Sequence, residues 1–194
     1  RTSAYMLWRV LQSNGGLPDE AKGCFANTGK EMEETLEFVR DCEWNWGVSI
    51  TWLEYRDNEK KYAVVNFDTA SRNGEPFEKL IRNRNRLPNP VARWCTGDLK
   101  VKPIHRFLKS IGWLEFDEWD HFLGIRADEQ RRAVKLRGTV NPEQKRETRW
   151  TPLVDAGITK GDVGDFWRGQ SFDLKLPNNN GVTMHGNCDL CFLK

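Results

Sequence analysis

Two kinds of hydrophobic periodicity alternate along the chain, and together they predict a mixture of helices and strands. Apolar residues at helical spacing predict a first helix from Ala4 to Gln12, with Ser3 as its N-cap. A short apolar run predicts a strand from Ala21 to Ala26. The apolar stripe Met32, Leu36 and Val39 then predicts a helix that ends at Cys42. The first third of the chain is therefore expected to form helix, strand, loop and helix.

The same patterns predict further elements downstream. The predicted strands cover residues 48–55, 62–67 and 119–126, the second as an edge hairpin, and the predicted helices begin near Phe77, His105, Asp128 and Thr159. Thr159 and Asp162 have the spacing of a capping box. Residues 138–149 are polar and predict a flexible loop.

The junction between the first strand and the second helix is the strongest candidate for a binding site. It has the sequence Asn27-Thr28-Gly29-Lys30-Glu31, a polar turn between an apolar run and a helix. Ligands of open α/β sheets bind beyond the carboxyl ends of the strands, where free N–H groups and a glycine turn can meet a phosphate. Taken alone, this stretch fits an ordinary connecting loop better, because a single Thr-Gly is weak evidence.

Two basic segments add candidate anion-binding residues. Arg82, Arg84 and Arg86 alternate with asparagines before a proline turn, which is poor helix sequence and suits either an anion-binding surface or a solvated loop. The second segment follows the predicted strand 119–126. Its arginines, placed to clamp an oxyanion, are Arg126, Arg131 and Arg132.

The five cysteines are odd in number and spread along the chain, which argues against a disulfide framework and for thiol or metal chemistry in some of them. Cys24 and Cys42 lie on apolar faces and are expected in the core. Cys95 is surrounded in sequence by Arg93, Lys100 and Lys102, which favours a thiolate, although a buried inert thiol is the alternative. The C-terminal segment contains Cys188-x-x-Cys191, with His185 three residues before it. His105 and His121 are expected to be structural.

The length, net charge and apolar runs of the chain limit the classes of function that it can have. A chain of 194 residues is expected to form a single domain, with a cysteine-containing segment at residues 178–194. Its helical start without a preceding strand, and its abrupt end, predict truncation at both ends. The net charge of +2 is too small to predict nucleic-acid binding by itself. Neither a membrane-length apolar run nor a signal-peptide pattern is visible, so the expected location is cytoplasmic.

Five segments occur in an order that resembles the phosphoadenosine phosphosulfate (PAPS) reductase family, within the PP-loop or adenine nucleotide alpha-hydrolase-like superfamily. They are Thr2-Ser3, Asn27-Thr28-Gly29-Lys30-Glu31, Cys95 with Leu99 to Pro103, Gly124-Ile125-Arg126 with Trp150 to Leu153, and Cys188-x-x-Cys191. The resemblance implies an α/β fold with a Rossmann-like three-layer α/β/α arrangement and a mostly parallel sheet. It also implies an adenine nucleotide across the carboxyl edge of that sheet.

The resemblance also implies roles for individual residues. Arg1-Thr2-Ser3 matches the end of the phosphate-binding Ser-Gly-Gly-x-x-Ser loop, so Ser3 is expected to contact phosphate. Asn27, Thr28 and Gly29 match the Asp-Thr-Gly loop of the family, and Asn in place of Asp removes a charge that could hold Mg²⁺. Arg126 matches the arginine at the phosphate or sulfate end of the nucleotide. Arg132 is expected to neutralise the same end, and Lys100 to assist. Lys100 and Arg126 are the expected catalytic residues.

Two chemistries occur in the family that this chain resembles. PP-loop pyrophosphatases use ATP and Mg²⁺ to adenylate a substrate, often before sulfur insertion. Sulfonucleotide reductases use a thiolate that attacks sulfur and is regenerated by thioredoxin or glutaredoxin. The Thr2-Ser3 ending fits the pyrophosphatases, and the reductase tail motif is absent from this sequence. The expected function is ATP α–β cleavage with adenylation or sulfur transfer. The alternatives are sulfite release from PAPS and a non-catalytic nucleotide-sensing or nucleic-acid-associated module.

The same resemblance implies a metal centre. Cys95, Cys188 and Cys191 match positions that hold a [4Fe–4S] cluster in some members, with one ligand missing because Trp94 precedes Cys95. Zinc bound by these cysteines and His185 is the second interpretation, and free thiols are the third.

Overall fold

The computed structural model describes residues 1–113, 118–137, 147–179 and 182–183. The chain divides into two compact units, one made of Arg1–Pro18 and Gly112–Asp173 and the other of Asp19–Ile111 and Leu174–Lys194. Helices and small sheets occur in both, so the fold is mixed α/β. In the described part of the chain, no helix combines the length and apolar character needed to cross a membrane.

The unit that contains residues 19–111 is built around a three-stranded sheet and also contains a two-stranded one. Its strands are β1 (Gly23–Asn27), β2 (Ile50–Glu54), β3 (Ala63–Val65), β6 (Asn178–Asn179) and β7 (Val182–Thr183). Its helices are α2 (Glu33–Trp46), α3 (Glu75–Arg84), α4 (Trp94–Thr96) and α5 (Lys102–Ser110), with a π-helical turn at Gly97–Val101. Strands β1 and β2 are parallel, whereas β3 is antiparallel to β2, as predicted for an edge hairpin.

Two buried clusters hold this unit together. Leu36 from α2 and Trp52 from β2 pack with Ala70 on one side, which explains why the apolar stripe of α2 must face the sheet. The second cluster contains Tyr55, Phe77, Leu80 and Leu99. Strands β1 and β2 also contact α5, and β1 contacts the π-helical turn, so the two strands lie between packed segments that follow one another in the chain.

The unit that contains the chain start has a second parallel pair. Its elements are α1 (Thr2–Asn14), β4 (Trp119–Phe122), a 3-10 turn at Ala127–Glu129, α6 (Gln130–Arg137), β5 (Glu147–Trp150), α7 (Pro152–Asp155) and α8 (Lys160–Arg168). Strands β4 and β5 are parallel. The first helix packs on α8 through aromatic rings, with Trp8 and Phe166 separated by 4.7 Å between centroids.

Several boundaries differ from the sequence prediction. Ser3 is the second residue of α1 and Arg1 is its N-cap, so the prediction of Ser3 as N-cap is wrong. The predicted loop 138–149 is wrong at its end, because Glu147–Trp150 forms β5. The capping box at Thr159 is confirmed: the Thr159 N–H donates to the Asp162 carboxylate, and the Thr159 hydroxyl accepts the Asp162 N–H.

Candidate functional site

The predicted turn after β1 lies beside the end of β2. Parallel register pairs Asn27, the last residue of β1, with Glu54, the last residue of β2. Both side chains are completely buried. The site is therefore at the carboxyl ends of two adjacent parallel strands, the position at which ligands of α/β sheets bind.

Asn27 fixes the path of the turn through its side-chain amide. Its Nδ2 donates to Glu54 Oε1 at 2.6 Å and to the carbonyl oxygen of Ser71 at 2.8 Å. Its Oδ1 accepts the backbone N–H of Gly29 at 3.0 Å. The nitrogen and the oxygen of the amide are thus both engaged, and the Gly29 N–H is occupied within the turn.

Gly29 occupies a conformation and a space that suit only glycine. Its φ is +75°, and a Cβ at this position would lie 2.7 Å from Cδ of Pro76. Pro76 lies in the first turn of α3, so the turn after β1 and the start of α3 are in direct contact. Any side chain at position 29 would strain the backbone and push these two segments apart.

Thr28 and Lys100 meet at the carboxylate of Glu31. The Thr28 hydroxyl donates to Glu31 Oε1 at 3.2 Å and accepts the backbone N–H of Lys30 at 3.3 Å. Lys100 Nζ lies 3.3 Å from the same carboxylate oxygen. Asn27, Thr28 and Lys100, predicted from distant parts of the sequence, are thus brought into one cluster. Thr28 is buried, whereas the Lys100 side chain is 43% exposed.

Glu54 is a component of the site that the sequence analysis missed. Its Oε1 also accepts the backbone N–H of Ser71 at 2.6 Å, and its Oε2 accepts the Ser71 hydroxyl at 2.9 Å. Arg56 forms an ion pair with Oε2 at 2.7 Å. A charged residue inside the apolar run Trp52-Leu53-Glu54-Tyr55 was the available signal, because a buried carboxylate requires partners.

An open cavity of about 620 Å³ adjoins this cluster. Arg56, which pairs with Glu54, lines it, as does Pro76, which contacts the turn at Gly29. The remaining lining residues are Tyr55, Asp57, Asn58, Ala63, Glu75 and Lys79. Asp57 accepts hydrogen bonds from Lys61 and Asn83, and these lower its pKa to about 2. The cavity is therefore lined by charges of both signs.

The other predicted phosphate-binding residues lie in the unit that contains β4 and β5. Ser3 packs against Gly124, where an added Cβ would lie 2.6 Å from the Ser3 α-carbon. Glycine at position 124 therefore allows the first turn of α1 to approach the segment after β4. Thr2 contributes its hydroxyl, which accepts a hydrogen bond from Arg126 Nη1 at 3.2 Å.

Arg126 is already bound to a carboxylate. Its Nε and Nη2 donate to the two oxygens of Asp128 at 3.0 and 3.1 Å. Hydrogen bonding from Arg126 is the main reason that the pKa of Asp128 lies below its usual value. Arg132 is 64% exposed and pairs with Glu129. An anion at either arginine would compete with an acidic residue of the same turn.

The cysteines divide into an inert pair and a set that extends beyond the described residues. Burial raises the pKa of Cys24 to about 11 and that of Cys42 to about 12. The predicted core position is confirmed for Cys42, whereas Cys24 is only partly buried. Cys95 packs beside the cluster of Tyr55, Phe77, Leu80 and Leu99. The other predicted metal ligands, Cys188, Cys191 and His185, lie outside the described residues. Within the described residues, no group of three or more potential ligands is arranged to hold a metal ion.

The first basic segment is more ordered than predicted. Arg82 and Arg84 belong to α3, so the prediction of poor helix at these positions is wrong. Arg82 pairs with Glu78 one turn earlier at 2.6 Å, and Arg84 Nε donates to Asp98 at 2.6 Å. These pairs stabilise the helix end and neutralise two of the three arginines.

His121 has the structural contact expected of it. Its Nδ1 lies 2.6 Å from Glu147 Oε1 on the adjacent strand β5, and Arg149 also donates to this carboxylate. Burial opposes ionisation of Glu147, but the hydrogen bonds from His121 and Arg149 outweigh it and lower the pKa. This cluster links β4 to β5 on one face of the parallel pair.

The chain is similar to two uncharacterized proteins. It is 28% identical over 203 residues to the uncharacterized nin region protein ORF290 of Escherichia phage lambda. The aligned region covers 100% of this chain and 63% of the phage protein. It is 28% identical over 130 residues to an uncharacterized protein of Methanocaldococcus jannaschii, covering 66% of this chain and 22% of that protein. The chain thus spans less than two thirds of either relative. Neither a family model nor a solved structure matches it.

Proposed function

We propose that the chain is an adenine-nucleotide-binding enzyme of the PAPS reductase family, which cleaves ATP between the α and β phosphates and transfers the adenylyl group before sulfur transfer. The observation that carries the proposal is the buried turn Asn27-Thr28-Gly29 at the carboxyl ends of two parallel strands. The Rossmann-like three-layer arrangement belongs to the same proposal. Its support is that a helix connects the two strands of each parallel pair, α2 between β1 and β2 and α6 between β4 and β5, as in doubly wound sheets.

Lysines adjacent to the turn supply the positive charge that a phosphate requires. Asn27, Thr28 and Gly29 are buried, and the Gly29 N–H is already bound to Asn27. These three residues therefore shape the floor of the site. Lys30 and Lys100 lie at its accessible side, and Lys100 exchanges its Glu31 partner for a phosphate oxygen. A lysine binds phosphate as a compact point charge, which tolerates such an exchange.

The turn does not fit a Mg²⁺ ion. Asn27 Oδ1 accepts the Gly29 N–H, and both oxygens of Glu54 accept hydrogen bonds. Because Mg²⁺ requires oxygen ligands that are free to coordinate it, Glu54 offers none, and Asn27 offers only a neutral oxygen that already accepts the Gly29 N–H. Any Mg²⁺ in the reaction is therefore expected to arrive bound to the phosphates of ATP. The centre proposed at Cys95, Cys188, Cys191 and His185, whether a [4Fe–4S] cluster or zinc, remains a sequence prediction.

Equilibrium titrations with ATP and with PAPS, paired with product assays, test the proposal. The expected result is ATP binding with release of pyrophosphate. Sulfite release from PAPS would instead support the reductase alternative. ATP binding without pyrophosphate release would favour a nucleotide sensor. A protein that binds neither nucleotide would overturn all three assignments.

Gly29→Ala is the most informative variant, and Gly47→Ala is its matched control. Both glycines have positive φ, at +75° and +58°, but only a Cβ at Gly29 meets a neighbour. Loss of ATP binding in Gly29→Ala with retention in Gly47→Ala would place the nucleotide at the turn. Equal affinities in the two variants would contradict that placement.

A further inference from the structure

Asn27 and Glu54 form a buried pair in which the negative charge lies on β2 and the neutral amide on β1. We propose that this distribution of charge, negative on Glu54 and neutral on Asn27, positions the Thr28–Gly29 turn. Glu54 is then a positioning residue. The inference rests on the proposed nucleotide site, because it concerns the turn that shapes that site.

Glu54 has its hydrogen-bonding capacity filled by donors from three segments. Oε1 accepts from the Asn27 amide and from the backbone N–H of Ser71, both at 2.6 Å. Oε2 accepts from the Ser71 hydroxyl and pairs with Arg56. A carboxylate offers about four lone-pair directions, so no oxygen of Glu54 is left for a metal or substrate. Its role is therefore to hold protein groups in place.

The contacts of Asn27 permit only one orientation of its amide. Nδ2 has two acceptors, Glu54 Oε1 and the Ser71 carbonyl oxygen, which leaves Oδ1 facing the Gly29 N–H. An aspartate here would place a carboxylate oxygen against both acceptors at hydrogen-bonding distance, with no proton between them. Two carboxylates in such contact cannot both remain ionised in a buried site. The sequence thus keeps one buried charge at the strand ends and assigns it to Glu54.

Two arginines supply the positive charge near this pair. Arg56 contacts the far oxygen of Glu54, Oε2, and Arg72 interacts electrostatically with Glu54 while its guanidinium is bound to Glu33. A second negative charge at position 27 would lie beside Oε1, on the side away from the Arg56 contact. A guanidinium group does not lose its proton in the pH range in which proteins fold. A pH-dependent change in the stability of an Asn27→Asp protein would therefore come from the two carboxylates at positions 27 and 54.

The experiment compares Asn27→Asp, Glu54→Gln and the double variant with wild type. Asn27→Asp is expected to lose stability to denaturant, and the loss should grow as pH rises, because one shared proton holds the pair together only at acidic pH. Glu54→Gln removes the second charge, so the double variant should lose this pH dependence. A loss in Asn27→Asp that is independent of pH would overturn the proposed role of charge. Asn14→Asp is the matched control, since Asn14 is exposed and donates only to the carbonyl of Val10.

Positioning of the turn has its own readout. Hydrogen exchange at the Gly29 amide should accelerate in Asn27→Asp and in Glu54→Gln, since the acceptor on residue 27 shifts in both. ATP affinity should fall by about tenfold or more in each, the scale of one lost hydrogen bond to a buried charge. Unchanged exchange at Gly29 would overturn the positioning role even if stability fell.

The two proposals fail in different ways. A wild-type protein that binds no ATP, but shows the pH pattern and the Gly29 exchange pattern, would reject the nucleotide site and retain the positioning pair. A wild-type protein that binds ATP, with variants that bind equally well and show normal exchange at Gly29, would reject the positioning pair and retain the nucleotide site.

Discussion

The side chain of Lys30 crosses Gly74 in the space that a Cβ at position 74 would occupy. Gly74 has a φ of +91° and is the N-cap of α3, so its lack of a side chain serves both the backbone and Lys30. The residue that follows the turn after β1 is thereby held against the start of α3. Lys30, to which the sequence pattern gives no individual role, gains a defined position through this contact.

Gly74→Ala should displace Lys30 and strain the helix start. We expect the free energy of unfolding to fall by about 1 kcal/mol, chiefly because a positive φ opposes alanine; moving the flexible Lys30 side chain adds a smaller cost. Denaturant unfolding measures the loss. Gly15→Ala is the control, with a φ of +68° and no atom within 4 Å of the added Cβ. If both variants lose equal stability, the contact with Lys30 contributes nothing.

Lys100→Ala should affect both stability and nucleotide binding. Its removal leaves Glu31, whose side chain is only 7% exposed, without its cationic partner. Because Lys100 is partly exposed, the expected loss is no more than about 1 kcal/mol. Adding Glu31→Gln to Lys100→Ala should restore stability but not ATP affinity. Restoration of both would show that Lys100 acts only through Glu31.

Arg126→Ala should weaken nucleotide binding without unfolding the protein. The variant loses the hydrogen bonds to Asp128 and Thr2, all of them at a half-buried position. Arg132→Ala is the comparison, because Arg132 is exposed and has one carboxylate partner. ATP titration and circular dichroism measure the two effects separately. Equal affinity of Arg126→Ala and wild type would show that Arg126 does not contribute to nucleotide binding.

The start of α8 should lose stability at acidic pH. Hydrogen bonds from the hydroxyl and backbone of Thr159 lower the pKa of Asp162. A carboxylate with a lowered pKa in the folded protein stabilises it above the unfolded pKa of about 3.9, and that contribution is lost as the pH falls through the folded value. Unfolding curves of Asp162→Asn should therefore depend less on pH than those of wild type in this acidic range. Equal pH dependence of unfolding in Asp162→Asn and wild type would contradict a stabilising role of the Asp162 carboxylate in the cap.

Cys24 and Cys42 should resist alkylation at neutral pH. Burial raises their pKa to about 11 and about 12, so almost no thiolate forms in the folded protein. Mass spectrometry after iodoacetamide treatment, with a denatured sample as the control, measures the labelling. Modification of Cys42 at the rate seen in the denatured protein would show that its surroundings open readily.

Metal analysis tests the predicted centre at Cys95, Cys188, Cys191 and His185. Iron, zinc and acid-labile sulfide should be measured in protein purified without oxygen, for wild type and for Cys95→Ser. A cluster predicts iron and sulfide that Cys95→Ser loses, and a zinc site predicts zinc alone. Wild-type protein with neither metal would support the interpretation that these cysteines are free thiols.

Local sequence was sufficient where neighbouring residues determine the structure. The order of β1, the turn at Asn27 and α2 follows from periodicity and a glycine turn, and the box at Thr159 from residues three apart. Glu54 could not be assigned in the same way, since its partners Asn27 and Ser71 are 27 and 17 residues away. Strand β5 was missed because its polar residues Glu147 and Arg149 are satisfied by each other and by His121.

The parallel register sets Asn27 opposite Glu54, so the effect of a substitution at one of these positions depends on the residue at the other. On the proposed role of this pair, a mutation that introduces a charge at position 27 requires removal of the charge at position 54. Proteins descended from a common ancestor with this chain are therefore expected to covary at these positions, with Asn opposite Glu in some lineages and Asp opposite an uncharged residue in others. A substitution that is neutral in one lineage would then be harmful in another.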